Sequence, residues 1–250
     1  MPESVAPPAA GPVPSRPPRA VLFDAGLTLI HPDGDILVEE LTRCEAQPAT
    51  PVAARRAVTA LQLAAEARHL PLPAGLAGDE KVGTLWATLL GTDRERTVRA
   101  FHRAAARPDL YRVLDPGARG TLSALQAKDV VLGVVSNSEG TVRDDLDVFG
   151  LLPFFRTVVD STVVGIEKPQ PGIFHAALSE LGIPGEDCWY VGDGLVNDVL
   201  GALGAGFGAG VLLDRFDCYG HLPGILRITC LDALVALVDR AAREVGDGPR

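Results

Sequence analysis

The chain has 250 residues, of which 47% are hydrophobic and 22% are charged, and its formal net charge is −9. This composition is typical of a globular protein, and the length is enough for one large core or a core with a smaller insert. The acidic balance argues against nucleic acid and anionic membrane as general partners, because both are bound through clustered Lys and Arg. It leaves room for a small anionic ligand in a local pocket.

The first 18 residues contain seven prolines and no apolar core like that of a signal peptide, so we expect a disordered tail over residues 1–18. The four cysteines show no C-x-x-C spacing, which disfavours a zinc site or a disulfide framework. We expect reduced thiols and a cytoplasmic protein. No apolar run reaches the roughly 20 residues that span a bilayer, so we predict no membrane partner.

The body of the chain opens with RAVLFD, an apolar segment that predicts a buried strand. Residues 35–112 then carry Ala, Leu, Arg and Glu at helical spacing and predict several helices without a strand. Beyond them, apolar strands such as VVLGVVSN, CWYVGD and GAGVLLD alternate with helices. This alternation predicts a doubly wound parallel α/β sheet. We assign the sheet domain to residues 19–34 and 113–246, with an inserted helical subdomain at 35–112.

Polar side chains follow three of the predicted strands where each strand ends, and a lysine precedes a helix between the last two. In an open parallel sheet these strand ends lie along one edge, where such folds bind ligands. Taken singly, each residue is more often a turn, a cap or a solvated charge, but their shared position favours a site. The candidates are Asp24, Ser136, Asn137, Lys168, Asp193 and Asp198.

These residue types suit phosphate chemistry. Carboxylates from neighbouring strand ends are ligands for a hard cation such as Mg²⁺. The ammonium group of Lys168 and the neutral donors of Ser136 and Asn137 would hold a phosphate dianion beside Asp24. Asp24 would then attack phosphorus and form an aspartyl phosphate.

The same segments resemble the motifs of the haloacid dehalogenase superfamily. FDAGLTL is similar to its first motif, a strand followed by D-x-D-x-T, and VVSN to its second, a strand ending in Ser or Thr. EKPQPGIF is similar to the lysine motif, and VGDGLVNDVLGALGAG to the acidic fourth motif. The matching residues are Asp24, Thr28, Ser136, Lys168, Asp193 and Asp198.

The resemblance implies a magnesium-dependent phosphatase acting on a small phosphorylated substrate. Asp24 would be the nucleophile and a metal ligand, together with Asp193 and the backbone carbonyl of Gly26. Asp198 would bind the metal or orient its ligands. The helical insert also resembles the small helical cap of one subgroup, and we expect it to set specificity.

The remaining matched residues are expected to act on the substrate. The resemblance implies that Ser136 and Lys168 hold the phosphoryl oxygens. We expect Thr28 and Asn137 to contact the substrate as well.

Gly26 is the departure from the family pattern, because the phosphatases carry an aspartate there that protonates the leaving group and later activates water. Leu27 also replaces the usual glycine. Three explanations stay open. The substrate has a good leaving group, another residue such as His31 or Asp33 supplies the proton, or the reaction is different or slow.

Two alternatives to phosphatase chemistry also stay open. In a dehalogenase, Asp24 would attack carbon without a metal, although two acidic positions in the fourth motif suit a cation better than a halide. A phosphate-binding or interaction module that lost turnover would also fit Gly26. The sequence does not indicate the substrate or the oligomeric state.

Overall fold

The computed structural model describes residues 14, 16–46, 53–67, 78–220, 222 and 224–246. Its contacts divide the chain into two compact units. The described residues of Met1–Leu29 and Leu114–Arg250 form the sheet unit, and those of Ile30–Val113 form the helical unit. Most of the tail predicted over residues 1–18 lies outside the described residues.

The sheet unit is built on six parallel strands in the order β5-β4-β1-β6-β7-β8. This arrangement confirms the predicted doubly wound parallel sheet. The strands are β1 (Ala20–Phe23), β4 (Val131–Ser136), β5 (Thr157–Asp160), β6 (Cys188–Gly192), β7 (Ala209–Leu213) and β8 (Arg227–Ile228).

Helices follow the strands of this sheet. Helix α8 packs against β4 and β5, while α5 packs against β4 and contacts α10. Pro171 opens α8 and Gly182 ends it with a φ of 66°, a left-handed conformation that glycine adopts without strain. The helices are α5 (Ala118–Gln126), α6 (Val142–Val148), α7 (Ser161–Val164), α8 (Pro171–Leu181), α9 (Gly201–Gly204) and α10 (Asp232–Gly246).

Strand register brings the predicted site residues to one edge. In β1, Phe23 lies beside Val134 of β4 and Val191 of β6. The backbone N–H of Asp24 donates to the Val191 carbonyl at 2.9 Å, which extends this pairing one residue past the strand. The side chains that follow β1, β4 and β6 therefore emerge at the same end of neighbouring strands.

The described residues of the helical unit form four helices and a two-stranded sheet. The sheet pairs β2 (Ile30–Pro32) with β3 (Tyr111–Leu114). Strand β3 overlaps the segment 35–112 that was predicted to have no strand, so that expectation is wrong at its carboxyl end. Tyr111 and Val113 are 39% and 41% exposed, and a strand without a buried face lacks the pattern that sequence analysis detects. The helices are α1 (Gly34–Arg43), α2 (Ala54–Glu66), α3 (Gly78–Leu90) and α4 (Arg94–Ala105).

Trp86 is the largest side chain at the centre of the helical unit. It is fully buried, its Nε1 donates to the Ala57 carbonyl at 3.0 Å, and its ring meets Phe101 edge to face.

Among the described residues, no helix is both long and apolar enough to cross a bilayer. Free thiols are found at Cys44, Cys188, Cys218 and Cys230.

We predict that Trp86→Ala lowers the free energy of unfolding of the helical unit by about 3–5 kcal/mol, because it leaves a large cavity and removes the hydrogen bond from the indole to the Ala57 carbonyl. Leu89→Ala on the same helix is the control, since Leu89 is 44% exposed, and should cost about 0.5 kcal/mol. Urea denaturation followed by circular dichroism measures both. Equal losses in the two variants would contradict the packing described here.

Candidate active site

The predicted site residues that lie closest together surround the ammonium group of Lys168. Its Nζ donates to Asp24 Oδ1 and to Asp198 Oδ1, each at 2.7 Å. Its third partner is the hydroxyl oxygen of Tyr190, at 3.1 Å. An ammonium group has three N–H donors, so every donor of Lys168 has a partner inside the protein.

The charge of Lys168 is held by its two carboxylate neighbours. Burial alone would lower the pKa of the ammonium group, but Asp198 and Asp24 outweigh that effect and keep the pKa well above its ordinary value. The group is therefore a permanent cation at neutral pH. Its single positive charge balances one of the two carboxylates, so the three groups together keep a net charge of −1.

Asp24 is anchored through one oxygen. Its Oδ1 accepts hydrogen bonds from Lys168 Nζ and, at 3.1 Å, from the Ser136 hydroxyl. Ser136 is the last residue of β4, the strand paired with β1, so sheet register places the two side chains in reach. Among the described residues no hydrogen-bond donor reaches Asp24 Oδ2, which leaves this oxygen for a cation or for attack on a substrate.

Asp198 lies on an irregular helical turn. Residues Leu195–Leu200, separated from β6 by Asp193 and Gly194, form a π-helix, a conformation that often occurs at functional sites. The carboxylate of Asp198 receives Lys168 at Oδ1 and the backbone N–H of Gly194 at Oδ2, the latter at 2.8 Å. Burial raises the pKa of Asp198, and the charge of Asp24 adds to that effect, while Lys168 opposes it.

Glycine is required at position 192 for this packing. A Cβ built on Gly192 would lie 2.5 Å from the Cβ of Asp198 and would overlap its carboxylate. Real Cβ atoms do not approach this closely, so any side chain there would displace Asp198.

Three carboxylates converge at the strand ends. Asp24, Asp193 and Asp198 are buried, and each offers an oxygen within 4.8 Å of the others. With one ammonium group among them, the formal charge of the cluster is −2. Clustered oxygen ligands with an excess of two negative charges fit a hard divalent cation such as Mg²⁺. Both oxygens of Asp198 already receive donors. Metal binding by Asp24 and Asp193 stays a prediction.

The turn after β1 joins Asp24 to Asp193. The Thr28 hydroxyl donates to Asp193 Oδ1 at 3.2 Å, and the Leu29 N–H closes the turn on the Ala25 carbonyl at 2.8 Å. Leu27 has a φ of 63°, the left-handed conformation for which glycine is normally used. A leucine therefore adopts here a backbone conformation that glycine adopts without strain.

Gly26 and Thr28 lie in this turn, but their predicted roles are not tested by it. Gly26 is the second residue after Asp24, and metal binding by its carbonyl stays a prediction. The Thr28 hydroxyl is engaged with Asp193, so the contact that the structure gives it is to a candidate metal ligand. Its contact with the substrate stays a prediction.

Asn137 is tied to the lysine segment. Its side-chain Nδ2 donates to the Lys168 carbonyl at 3.1 Å, and its Oδ1 accepts from the Lys168 N–H at 2.8 Å. This reciprocal pair fixes the backbone that carries the ammonium group. Direct contact with a substrate, which the sequence predicts for Asn137, stays a prediction.

The two residues considered as substitutes for an acid at position 26 belong to the helical unit. Asp33 caps α1 through the Asp35 N–H and pairs with Arg112 at 2.8 Å. Burial acts to raise the pKa of Asp33, but the hydrogen bond and charge of Arg112 and the backbone N–H groups of Asp35 and Ile36 together outweigh it, and the pKa is lowered. A carboxyl that stays ionised is a poor proton donor. His31 lies in β2 and is partly buried.

Sequence analysis missed two residues that the structure connects to this site. Tyr190 accepts from Lys168 and donates its own proton to the Val135 carbonyl at 2.6 Å. Arg215 follows β7 and donates to the Thr28 carbonyl at 2.9 Å. Both could have been identified from the sequence, since Tyr190 is a polar side chain within a predicted buried strand and Arg215 lies at the carboxyl end of another.

Comparison with known proteins decides the family. The family model for haloacid dehalogenase-like hydrolases matches residues 18–206, most of the chain. The chain belongs to this family.

Relatives within the haloacid dehalogenase-like family include named phosphatases. A glyceraldehyde 3-phosphate phosphatase of Methanothermobacter thermautotrophicus is 40% identical over 96 residues, 38% of this chain and 42% of that protein. Haloacid dehalogenase-like hydrolase domain-containing protein 3 of Danio rerio is 36% identical over 100 residues, 40% of this chain and 41% of that protein. The chain thus spans about two fifths of the length of the curated relatives that it matches.

A solved member of the family shares the fold. The putative HAD-hydrolase YfnB from Bacillus subtilis, solved bound to magnesium, superposes with a TM-score of 0.60 at 22% identity. The match covers 90% of this chain and all of that one. At this identity the likeness establishes the fold.

We predict that Gly192→Ala abolishes turnover without removing any polar group, because its methyl group displaces Asp198 from Lys168. Gly204→Ala is the matched control, since a Cβ at Gly204 meets no atom within 4 Å. Initial rates of p-nitrophenyl phosphate hydrolysis should fall at least about 100-fold in the first variant, the scale at which small displacements act. A Gly192→Ala protein with wild-type rates would contradict the role of this packing.

Proposed function

We propose that this protein is a magnesium-dependent phosphatase that acts on a small phosphorylated metabolite through an aspartyl phosphate at Asp24. The observation that carries the proposal is the cluster of three carboxylates around one ammonium group. The phosphatase name of the archaeal relative supports it. The free thiols support the expected cytoplasmic location.

The charge balance favours phosphoryl transfer over attack on an uncharged carbon. A formal charge of −2 repels an anionic substrate unless a divalent cation offsets it, and a bound Mg²⁺ supplies that charge and orients the phosphoryl group. A dehalogenase would stabilise a departing halide, and the buried Asp193 and Asp198 would oppose that.

The proposed chemistry has two steps. A carboxylate oxygen of Asp24 attacks phosphorus, and the bond from phosphorus to the leaving-group oxygen breaks. Water then attacks the phosphorus of the aspartyl phosphate, which releases inorganic phosphate and regenerates the carboxylate. Lys168 and Ser136 hold Asp24 by its Oδ1, which fixes the direction of the other oxygen. Their expected contact with the phosphoryl oxygens stays a prediction.

The first step lacks a proton donor at Gly26. Asp33, which is ion-paired with a lowered pKa, is unsuited to replace it. We therefore propose substrates whose leaving group departs without protonation, such as acyl phosphates or phosphoanhydrides, ahead of sugar phosphates. General acid catalysis typically contributes about 10²–10⁴-fold, so its loss should discriminate strongly between these classes.

We predict that acetyl phosphate hydrolysis requires Mg²⁺ and Asp24. Excess chelator and Asp24→Asn should each lower the rate at least about 1000-fold, because one removes the balancing charge and the other the nucleophile. Asp144→Asn, at an exposed helix position, is the matched control and should keep wild-type rates. Circular dichroism would check that each variant is folded.

Several outcomes of the same assay would overturn this proposal. Full activity in chelator would reject the metal, and full activity of Asp24→Asn would reject the nucleophile. Turnover of 2-chloropropionate without a metal would establish the dehalogenase alternative. Phosphate binding without turnover on any substrate would establish the non-catalytic module.

We predict that Gly26→Asp raises kcat/KM for sugar phosphates relative to acetyl phosphate by about tenfold or more, because it restores a carboxyl acid for a leaving group that needs protonation. Gly26→Ala separates the effect of the acid from that of added bulk and should leave the ratio unchanged. An unchanged ratio in Gly26→Asp would mean that the proton comes from another group.

A further inference from the structure

Arg215 lies beside the turn that follows β1. It is the second residue after β7, the strand next to β6, so its backbone belongs to the same sheet edge as Asp193. Only 18% of its side chain is exposed. It therefore contributes a second, largely buried cation near the carboxylate cluster, and its role is not part of the chemistry described so far.

The guanidinium of Arg215 makes two separate contacts. Its Nη2 donates to the Thr28 carbonyl at 2.9 Å, and its Nη1 pairs with Asp115 Oδ2 at 2.6 Å. Asp115 is itself buried, and its other oxygen accepts the Gly117 N–H at 2.8 Å. The planar fork thus bridges two partners from distant parts of the chain, which a lysine ammonium on its flexible stem would not reproduce.

Both partners of Arg215 are connected to one short segment. The Thr28 hydroxyl donates to Asp193, and the Asp115 N–H donates to the Leu29 carbonyl at 2.9 Å. Arg215 therefore reaches the turn once through the Thr28 carbonyl and once through Asp115. The turn carries Leu27 with its φ of 63°. Such a strained backbone conformation persists only where the surrounding structure enforces it.

Asp115 also cancels the charge of Arg215. Burial lowers the pKa of Arg215, and the negative charges of Asp115 and Asp193 act against that shift. A guanidinium whose charge was not cancelled would repel a cation at Asp193. Because Asp115 neutralises Arg215, the arginine can hold the turn in place without reducing the net negative charge of the carboxylate cluster.

We propose that Arg215 is a positioning residue, which fastens the turn Ala25–Leu29 so that Thr28 orients Asp193 for cation binding. Its effect on the turn can be measured without metal, and its effect on the cation rests on the proposed function. A merely structural ion pair with Asp115 would instead stabilise the whole unit without a local effect.

The test is amide hydrogen exchange measured by NMR on the metal-free full-length chain. The reporter is the Leu29 amide, which closes the turn on Ala25. The reference is the Asp24 amide, which is bonded to Val191 one residue past β1. Arg215→Lys keeps the charge, and Arg215→Gln removes it. Both should speed exchange of Leu29 at least tenfold while that of Asp24 changes less than twofold.

Two further variants keep the test decisive. Arg227→Lys is the matched control, because Arg227 is also a buried arginine paired with a carboxylate, Asp214 at 2.8 Å. It should leave Leu29 exchange within twofold of wild type. If the Arg215 variants do not fold, Asp115→Asn loosens the guanidinium while retaining it, and should speed Leu29 exchange about threefold.

Calorimetric titration with Mg²⁺ then tests the link to the metal. Arg215→Lys should weaken Mg²⁺ binding about tenfold, the scale seen when groups that orient metal ligands are removed, and Arg227→Lys should not. Unchanged Leu29 exchange, or an equal rise at Asp24, overturns the inference. Wild-type protein that binds no Mg²⁺ contradicts the proposed function, and the exchange of Leu29 alone then decides the role of Arg215.

Discussion

A buried ammonium group between two carboxylates is the contact on which the rest of the site depends. Lys168 holds Asp24 and Asp198 at equal distances of 2.7 Å. Removing one partner from a buried ion pair typically costs about 3–5 kcal/mol, so the three groups stay together. One cation cannot balance these two carboxylates and Asp193 as well. The remaining negative charge is what the proposed metal would balance. The contact with Lys168 gives the carboxylate of Asp24 a defined orientation.

The surrounding structure acts mainly to keep this charge arrangement in place. The Tyr190 hydroxyl accepts a hydrogen bond from the Lys168 ammonium group, and Asn137 holds the backbone of Lys168. Gly192 leaves space for the side chain of Asp198. None of them needs to touch a substrate. Their contacts make the site rigid before any ligand arrives, and preorganised charge is usually the largest contribution to enzymatic rate enhancement.

The strand ends were predictable from the sequence because parallel strands with continuous apolar runs place their carboxyl ends together. That rule found Asp24, Ser136 and Asp193 before their distances were known. It could not find the bond between Arg215 and Thr28, whose partners are 187 positions apart, because no local pattern encodes such a contact. Strand β3 was missed because its side chains are largely exposed and show no buried face.

The most direct test of this account is electron paramagnetic resonance of Mn²⁺, a paramagnetic substitute for Mg²⁺, titrated into wild type and Asp193→Asn. Three carboxylates sharing one ammonium group should bind one Mn²⁺ per chain, which Mg²⁺ displaces. Asp193→Asn should lose this site while its circular dichroism stays unchanged. Equal Mn²⁺ binding by both proteins, or none by wild type, would contradict the claim that a divalent cation balances the charge of this cluster.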